Sequence, residues 1–141
     1  MKSFEKLDAW KVCHALVLAT WKATKPILDT ERELAHRLRY VTLRAAGRLA
    51  FASAVGGSPM FMTAVIRADG YIAEAGYVLD LLRVMGTVPD PTWQELDGLR
   101  GRASFYVTKL LHDSYALPDD LRSPLDDLDM FDWDEPEDWQ K

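Results

Sequence analysis

Prolines divide the first 118 residues into four stretches of helical length. They stand at positions 26, 59, 89, 91 and 118. A proline inside a helix loses a backbone hydrogen bond and crowds the preceding turn, so each of these positions marks a boundary. None of the intervening stretches alternates apolar and polar residues with a period of two, so no sheet is indicated. Segment one spans about Leu7 to Lys25 and ends at Pro26. Segment two starts near Asp29 or Thr30, either of which can cap the first free amides, and stops at Gly56-Gly57. Segment three opens at Ser58-Pro59, a cap residue followed by proline, and closes at Gly86. Segment four repeats the signal at Asp90-Pro91 and reaches about Ala116. Four helices of roughly 20–27 residues with short connections predict an antiparallel up-down-up-down four-helix bundle, an all-α fold.

At 141 residues the chain is long enough for one domain with a real core. The single cysteine, Cys13, excludes an internal disulfide and a thiolate zinc cage, and points to a reducing, cytoplasmic setting. The charged opening Met1-Lys2-Ser3-Phe4-Glu5-Lys6 does not read as a signal peptide. No charge-free run of about 18 apolar residues occurs, so no membrane span is expected.

The net charge of −5 conceals a split. Residues 119–141 hold ten acidic and two basic side chains, leaving twelve acidic and fifteen basic over residues 1–118. A bundle of formal charge +3 is therefore joined to a tail of −8. The expected organisation is a bundle over residues 1–118 and an acidic tail over residues 119–141. Like charges repel and extend such a tail. The interleaved Phe131, Trp133 and Trp139 nevertheless suit an anchor that folds onto a basic or apolar groove. The plainer alternative is a tail with no docking site.

Two helices carry more apolar circumference than one bundle can cover. At 100° per residue, segment one places Leu7, Trp10, Val17, Leu18 and Trp21 on a main face, with His14 among them as a core or interface residue. Val12, Leu16 and Ala23 form a second face. Segment three turns Phe61, Val65, Ala68, Ile72, Ala75, Leu79 and Leu82 to the core. Ile66, Gly70, Ala73, Tyr77 and Val84 lie on its second face, where Gly70 and Ala73 allow close approach of another backbone. A helix apolar on two sides is expected to be covered on two sides, and a second copy of the chain is the natural cover. Val12, Leu16, Ile66, Gly70, Ala73 and Tyr77 are accordingly expected at a homo-oligomer interface. Scattered surface apolar residues on a monomeric bundle are the alternative.

Catalytic patterns are absent from the sequence. His14, His36 and His112 form no H-x-x-x-H pair, and the single E-x-x-H spacing, Glu33 to His36, has no second copy to complete a ligand set, so no catalytic residue, metal or cofactor is expected. Gly56-Gly57-Ser58 lacks the lysine and spacing of a P-loop. Glu74, between the two apolar faces of segment three, needs a cation, and Arg44 or Arg48 is the expected partner. Two basic stripes are candidates for RNA or DNA. Arg37, Arg44 and Arg48 share one side of segment two. Arg102, Phe105, Lys109 and His112 share one side of segment four, mixing cations with an aromatic that can stack on a base. The ordinary reading of both is a solvated face with local ion pairs, and the bundle is only weakly basic.

Over residues 4–116 the chain resembles the four-helix-bundle proteins encoded by intervening sequences in bacterial 23S ribosomal RNA genes. Their superfamily includes the accessory protein of diversity-generating retroelements. Phe4-Glu5-Lys6-Leu7-Asp8-Ala9-Trp10 is similar to the family's F-x-x-L-x-x-W opening. Leu43-Arg44-Ala45-Ala46 is similar to its L-R-R-A-A segment, and Ala68-Asp69-Gly70-Tyr71-Ile72-Ala73-Glu74 to its A-x-G-S-x-x-E stretch. The family's N-I-A-E-G at the end of helix two stands here as Ala52-Ser53-Ala54-Val55-Gly56, so the polar contact that motif makes is expected to be absent or replaced. The resemblance implies a homopentameric ring without known catalysis, and nucleic-acid binding in the retroelement branch. The leading expectation is thus a non-enzymatic oligomeric scaffold or adaptor beside nucleic-acid-processing partners. The alternative is direct electrostatic nucleic-acid binding modulated by the tail.

Overall fold

The structure, a computed structural model, describes residues 3–115, and side chains from Phe4 to Asp113. Four helices carry it: α1, Asp8–Thr24; α2, Arg32–Ala54; α3, Met60–Val84; and α4, Asp90–Tyr115. Short 3-10 turns at Ser3–Lys6 and Lys25–Ile27 flank α1. Each helix packs on the next and α4 returns to α1, so the four close an up-down bundle with α2 and α4 at opposite corners.

The helix ends obey the expected breakers, although two of the expected caps are not used. Pro26 lies in the 3-10 turn that ends α1. Gly57, at φ +83°, turns the chain between α2 and α3. Gly86, at φ +69°, ends α3 in a Schellman arrangement: the Thr87 N–H donates to the Leu82 carbonyl and the Gly86 N–H to the Arg83 carbonyl. The N-cap of α2 is Glu31, without a side-chain cap bond, rather than Asp29 or Thr30. The 3-10 turn at Lys25–Ile27 is followed by further turns, in which the Thr30 and Glu31 N–H groups donate to the Ile27 carbonyl, so the helix starts beyond those two residues. At α3 the helix begins at Met60 behind Pro59, and Ser58 offers its carbonyl, not its hydroxyl, to the Phe61 N–H.

The core divides into two levels along the bundle axis. At one end, small residues dominate: Ala9 and Cys13 of α1, Ala45, Ala46, Leu49 and Ala52 of α2, Ala64, Val65, Ala68 and Ile72 of α3, and Ala103 and Val107 of α4. At the other end the residues are larger and include Leu16, Leu38, Val41, Leu79, Leu82 and Leu96. The starts of α1 and α3 thus meet the ends of α2 and α4, which is the alternation of an antiparallel bundle.

Helix α3 buries the expected face: Val65, Ala68, Ile72, Ala75, Leu79 and Leu82 are buried, and Phe61 is half-buried against them. Helix α1 does not. Its buried positions are Ala9, Cys13, Leu16, Thr20 and Thr24, a face of mostly small residues. Leu16, expected at an oligomer interface, is a core residue at 1% exposure. Leu18, expected in the core, is 59% exposed. Helices approach most closely where side chains are small, so the Ala9-Cys13-Thr20-Thr24 line turns inward and the bulkier Trp10, Val17 and Trp21 flank it. His14 is exposed rather than buried and stacks on Trp10 at 4.7 Å between ring centroids. Phe4 covers the same indole at 4.7 Å.

Burial of Thr24 on α1 is balanced by hydrogen bonds at the helix C-terminus, whereas the Thr20 hydroxyl is buried without a partner. The Thr24 hydroxyl donates to the Thr20 carbonyl at 2.7 Å and accepts from Arg39 Nε of α2 at 2.7 Å. Arg39 Nη2 also donates to the Trp21 carbonyl at 3.0 Å, and its guanidinium lies over the Trp21 ring. A cation at the negative end of a helix dipole satisfies carbonyls that have no intrahelical partner.

Candidate interaction surfaces

The seam between α2 and α3 gathers the charged and aromatic side chains. Arg37 donates from Nε to Glu74 Oε1 at 2.9 Å, and its Nη2 reaches the same oxygen. Tyr40 and Tyr71 meet edge to face at 6.3 Å. Arg37 lies over the Tyr40 ring and Arg44 over the Tyr71 ring. Continuing this antiparallel register brings Arg67 level with Arg44, one turn from Arg48. Arg44, Arg48 and Arg67 are all half-buried. Burial first, and the neighbouring charge of Arg44 next, disfavour the cationic form of Arg48, with Arg67 adding to the repulsion. Tyr71 and Tyr40 act the other way. The guanidinium remains charged at neutral pH.

This geometry corrects the expected ion pair. Glu74 is bound by Arg37, not by Arg44. The two arginines share a face of α2 but stand seven residues apart, about 10 Å along the axis at 1.5 Å per residue. Helical spacing gives the shared face; only the register of α3 against α2 decides which arginine meets the carboxylate. Arg37 therefore leaves the basic stripe as a structural ion pair, and the half-buried Arg67 and Tyr71 join it, while Tyr40 is a buried core residue. The repeat Arg67, Tyr71, Glu74 at helical spacing on α3 is the sequence signal for that membership.

The second stripe is separate. Arg102, Phe105, Lys109 and His112 are all exposed on α4, with Phe105 at 63% exposure and edge-on to Tyr106. Because α4 is diagonal to α2, the two stripes lie on different corners and do not merge within one chain.

An apolar strip runs along the outside of α3. Tyr77 is 65% exposed and Val84 85% exposed, Gly70 and Ala73 are exposed, and Ile66 is half-buried. A Cβ built on Gly70 meets no atom within 4 Å, so the helix surface there is open. Val12 of α1 is half-buried against the small-residue core.

A cleft between the end of α1 and the α3–α4 connection is lined by Ala23, Pro26, Ile27, Val88 and Pro89, with Lys22 and Glu95 among its walls. Among the described residues no group of three or more His, Cys, Asp or Glu is placed to hold a metal. No described helix is long and apolar enough to cross a membrane. Phe131, Trp133 and Trp139 lie outside the described residues. No protein-family model matches the chain, and no curated protein or solved structure matches it.

Proposed function

We propose that the chain is a non-enzymatic, self-associating four-helix scaffold, a ring of copies of the kind implied by its resemblance to the 23S rRNA intervening-sequence proteins. The observation that carries this reading is the outer strip of α3. Ile66, Gly70, Ala73, Tyr77 and Val84 form an apolar line on a helix whose opposite face already fills the core. The small residues at its centre allow a second backbone to approach, and Tyr77 supplies buried area with a polar tip for the rim. Pentameric closure rests on the resemblance at Phe4, Leu7, Trp10, Leu43-Arg44-Ala45-Ala46 and Ala68 to Glu74. Light scattering tests it: the expected mass is near five times 16.0 kDa. A clean monomer at micromolar concentration overturns the reading.

A second reading, direct binding of RNA or DNA, is favoured by the arginine seam of α2–α3 and the exposed stripe of α4. Assembly would repeat both around a ring. Binding of this type falls steeply with salt because each phosphate contact releases counterions. The full chain with its tail carboxylates replaced by amides is expected to retain single-stranded RNA at about 50 mM salt and release it at about 200 mM. No retention at the lower salt ends this reading.

A further inference from the structure

Three guanidinium groups, of Arg44, Arg48 and Arg67, lie together and half-buried on the α2–α3 seam, bordered by Tyr40 and Tyr71. The carboxylate at the other end of the seam, Glu74, is already engaged by Arg37. Cations gathered in a partly dry setting repel one another, and carboxylates or phosphates laid across them offset that repulsion. We infer that the chain's own C-terminal segment, residues 119–141, docks on this cluster, its carboxylates on Arg44, Arg48 and Arg67 and its aromatic side chains against the half-buried Tyr71.

Three observations select this occupant. The first is charge: the segment carries ten acidic side chains against two basic ones. The second is composition. Between Asp126 and Trp139 acids are interleaved with Leu128, Met130, Phe131, Trp133 and Trp139, while the seam interleaves arginines with tyrosines. Carboxylates suit the guanidinium forks, and indole faces suit both guanidinium planes and phenol edges. The third is reach. The described chain stops at Tyr115 on α4, at the same end of the bundle as Ala45, Leu49 and Ala68, the core neighbours of the arginine cluster in sequence. The stretch from 115 to 126 can span about 35 Å at about 3.3 Å per residue. The bundle is about two helix diameters across, roughly 20 Å. The tail can therefore reach the α2–α3 corner with its acidic, aromatic part still ahead of it. So placed, it acts as a built-in competitor for any polyanion that seeks the same arginines.

The test uses the full chain with Asp132→Cys carrying a nitroxide, Cys13 being buried and therefore spared by the reagent. Amide signals from residues 40–48 and 67–71 are expected to lose at least half their intensity, while those around Leu18 and Arg83 keep theirs. About 0.5 M salt should restore the lost signals. Converting the acids between Asp126 and Asp138 to their amides should restore them too. That variant leaves the bundle untouched, so it stands even if the second variant, Arg44→Gln/Arg48→Gln/Arg67→Gln, fails to fold. Uniform broadening, or seam broadening that survives removal of the carboxylates, overturns the proposal. So does broadening found only when isotope-labelled and spin-labelled chains are mixed, which would place the tail on another copy. A seam that ignores the label but shifts when oligouridylate is added at about 50 mM salt belongs to nucleic acid, and the tail assignment is then wrong. The solution mass tests the scaffold reading separately, since either mass is compatible with a docked tail.

Discussion

At the scale of single residues, burial decides chemistry. Cys13 is 1% exposed, and burial pushes its thiol up to about 12 from an ordinary 9.0. A thiol with so little thiolate is a core methyl in practice. Its reaction with a disulfide reagent at pH 8 should be about a thousandfold slower than that of free cysteine. The rate should rise with urea as the bundle opens; prompt labelling of native protein would contradict this. Asp69 shows the opposite sign of usefulness. Burial raises its carboxyl above the ordinary range, so the folded state disfavours its charge. Its contribution to stability is present at low pH and is lost as pH rises through the raised value. Asp69→Asn is therefore expected to unfold at higher urea than the parent at pH 7, with the gap closing toward pH 4. Arg39 is a third case. Removing it strips the bonds to Thr24 and to the Trp21 carbonyl, and Arg39→Ala should lower stability by about 2 kcal/mol in urea titration.

At the scale of elements, the helices are bounded by local chemistry and joined by long-range fit. Gly86 holds a left-handed conformation that a side chain resists, so Gly86→Ala should cost about 1 kcal/mol, read as a lower urea midpoint with an unchanged slope. Gly76 answers to a neighbour instead. A Cβ there would come within 3.0 Å of Arg100 Cδ on α4, whose guanidinium pairs with Asp97 at 2.9 Å. That glycine marks where α4 crosses α3 closely, and no sequence pattern distinguishes it from Gly70, which meets open space.

At the scale of the whole molecule, exposed apolar surface and segregated charge are the two features that reach beyond one chain. Besides the α3 strip, Leu18, Leu43, Met60 and Met85 stand exposed. If copies meet along α3, a charge in the strip must be buried unpaired. Tyr77→Glu is then expected to weaken association by tenfold or more, about 1.4 kcal/mol. Because Tyr77 is exposed within one chain, the helical signal and the unfolding midpoint of the dissociated form should hardly move. Sedimentation over a concentration series reads the first effect and circular dichroism the second.

The residues by themselves determined what is local. Proline and glycine placed the helix limits, and the 3.6-residue period placed the core face of α3, because both act within a few residues of chain. The same period set Arg37, Arg44 and Arg48 on one side of α2. Tertiary structure alone decided the rest. The rotation of α1 follows from where small side chains let helices close together, which turned Leu16 inward and left Leu18 outside. The register of α3 against α2 follows from how two whole surfaces interlock, and it gave Glu74 to Arg37 while gathering Arg44, Arg48 and Arg67. Periodicity specifies a face, but a partner across a seam depends on axial offset and rotation, which belong to the packed bundle and to no single helix.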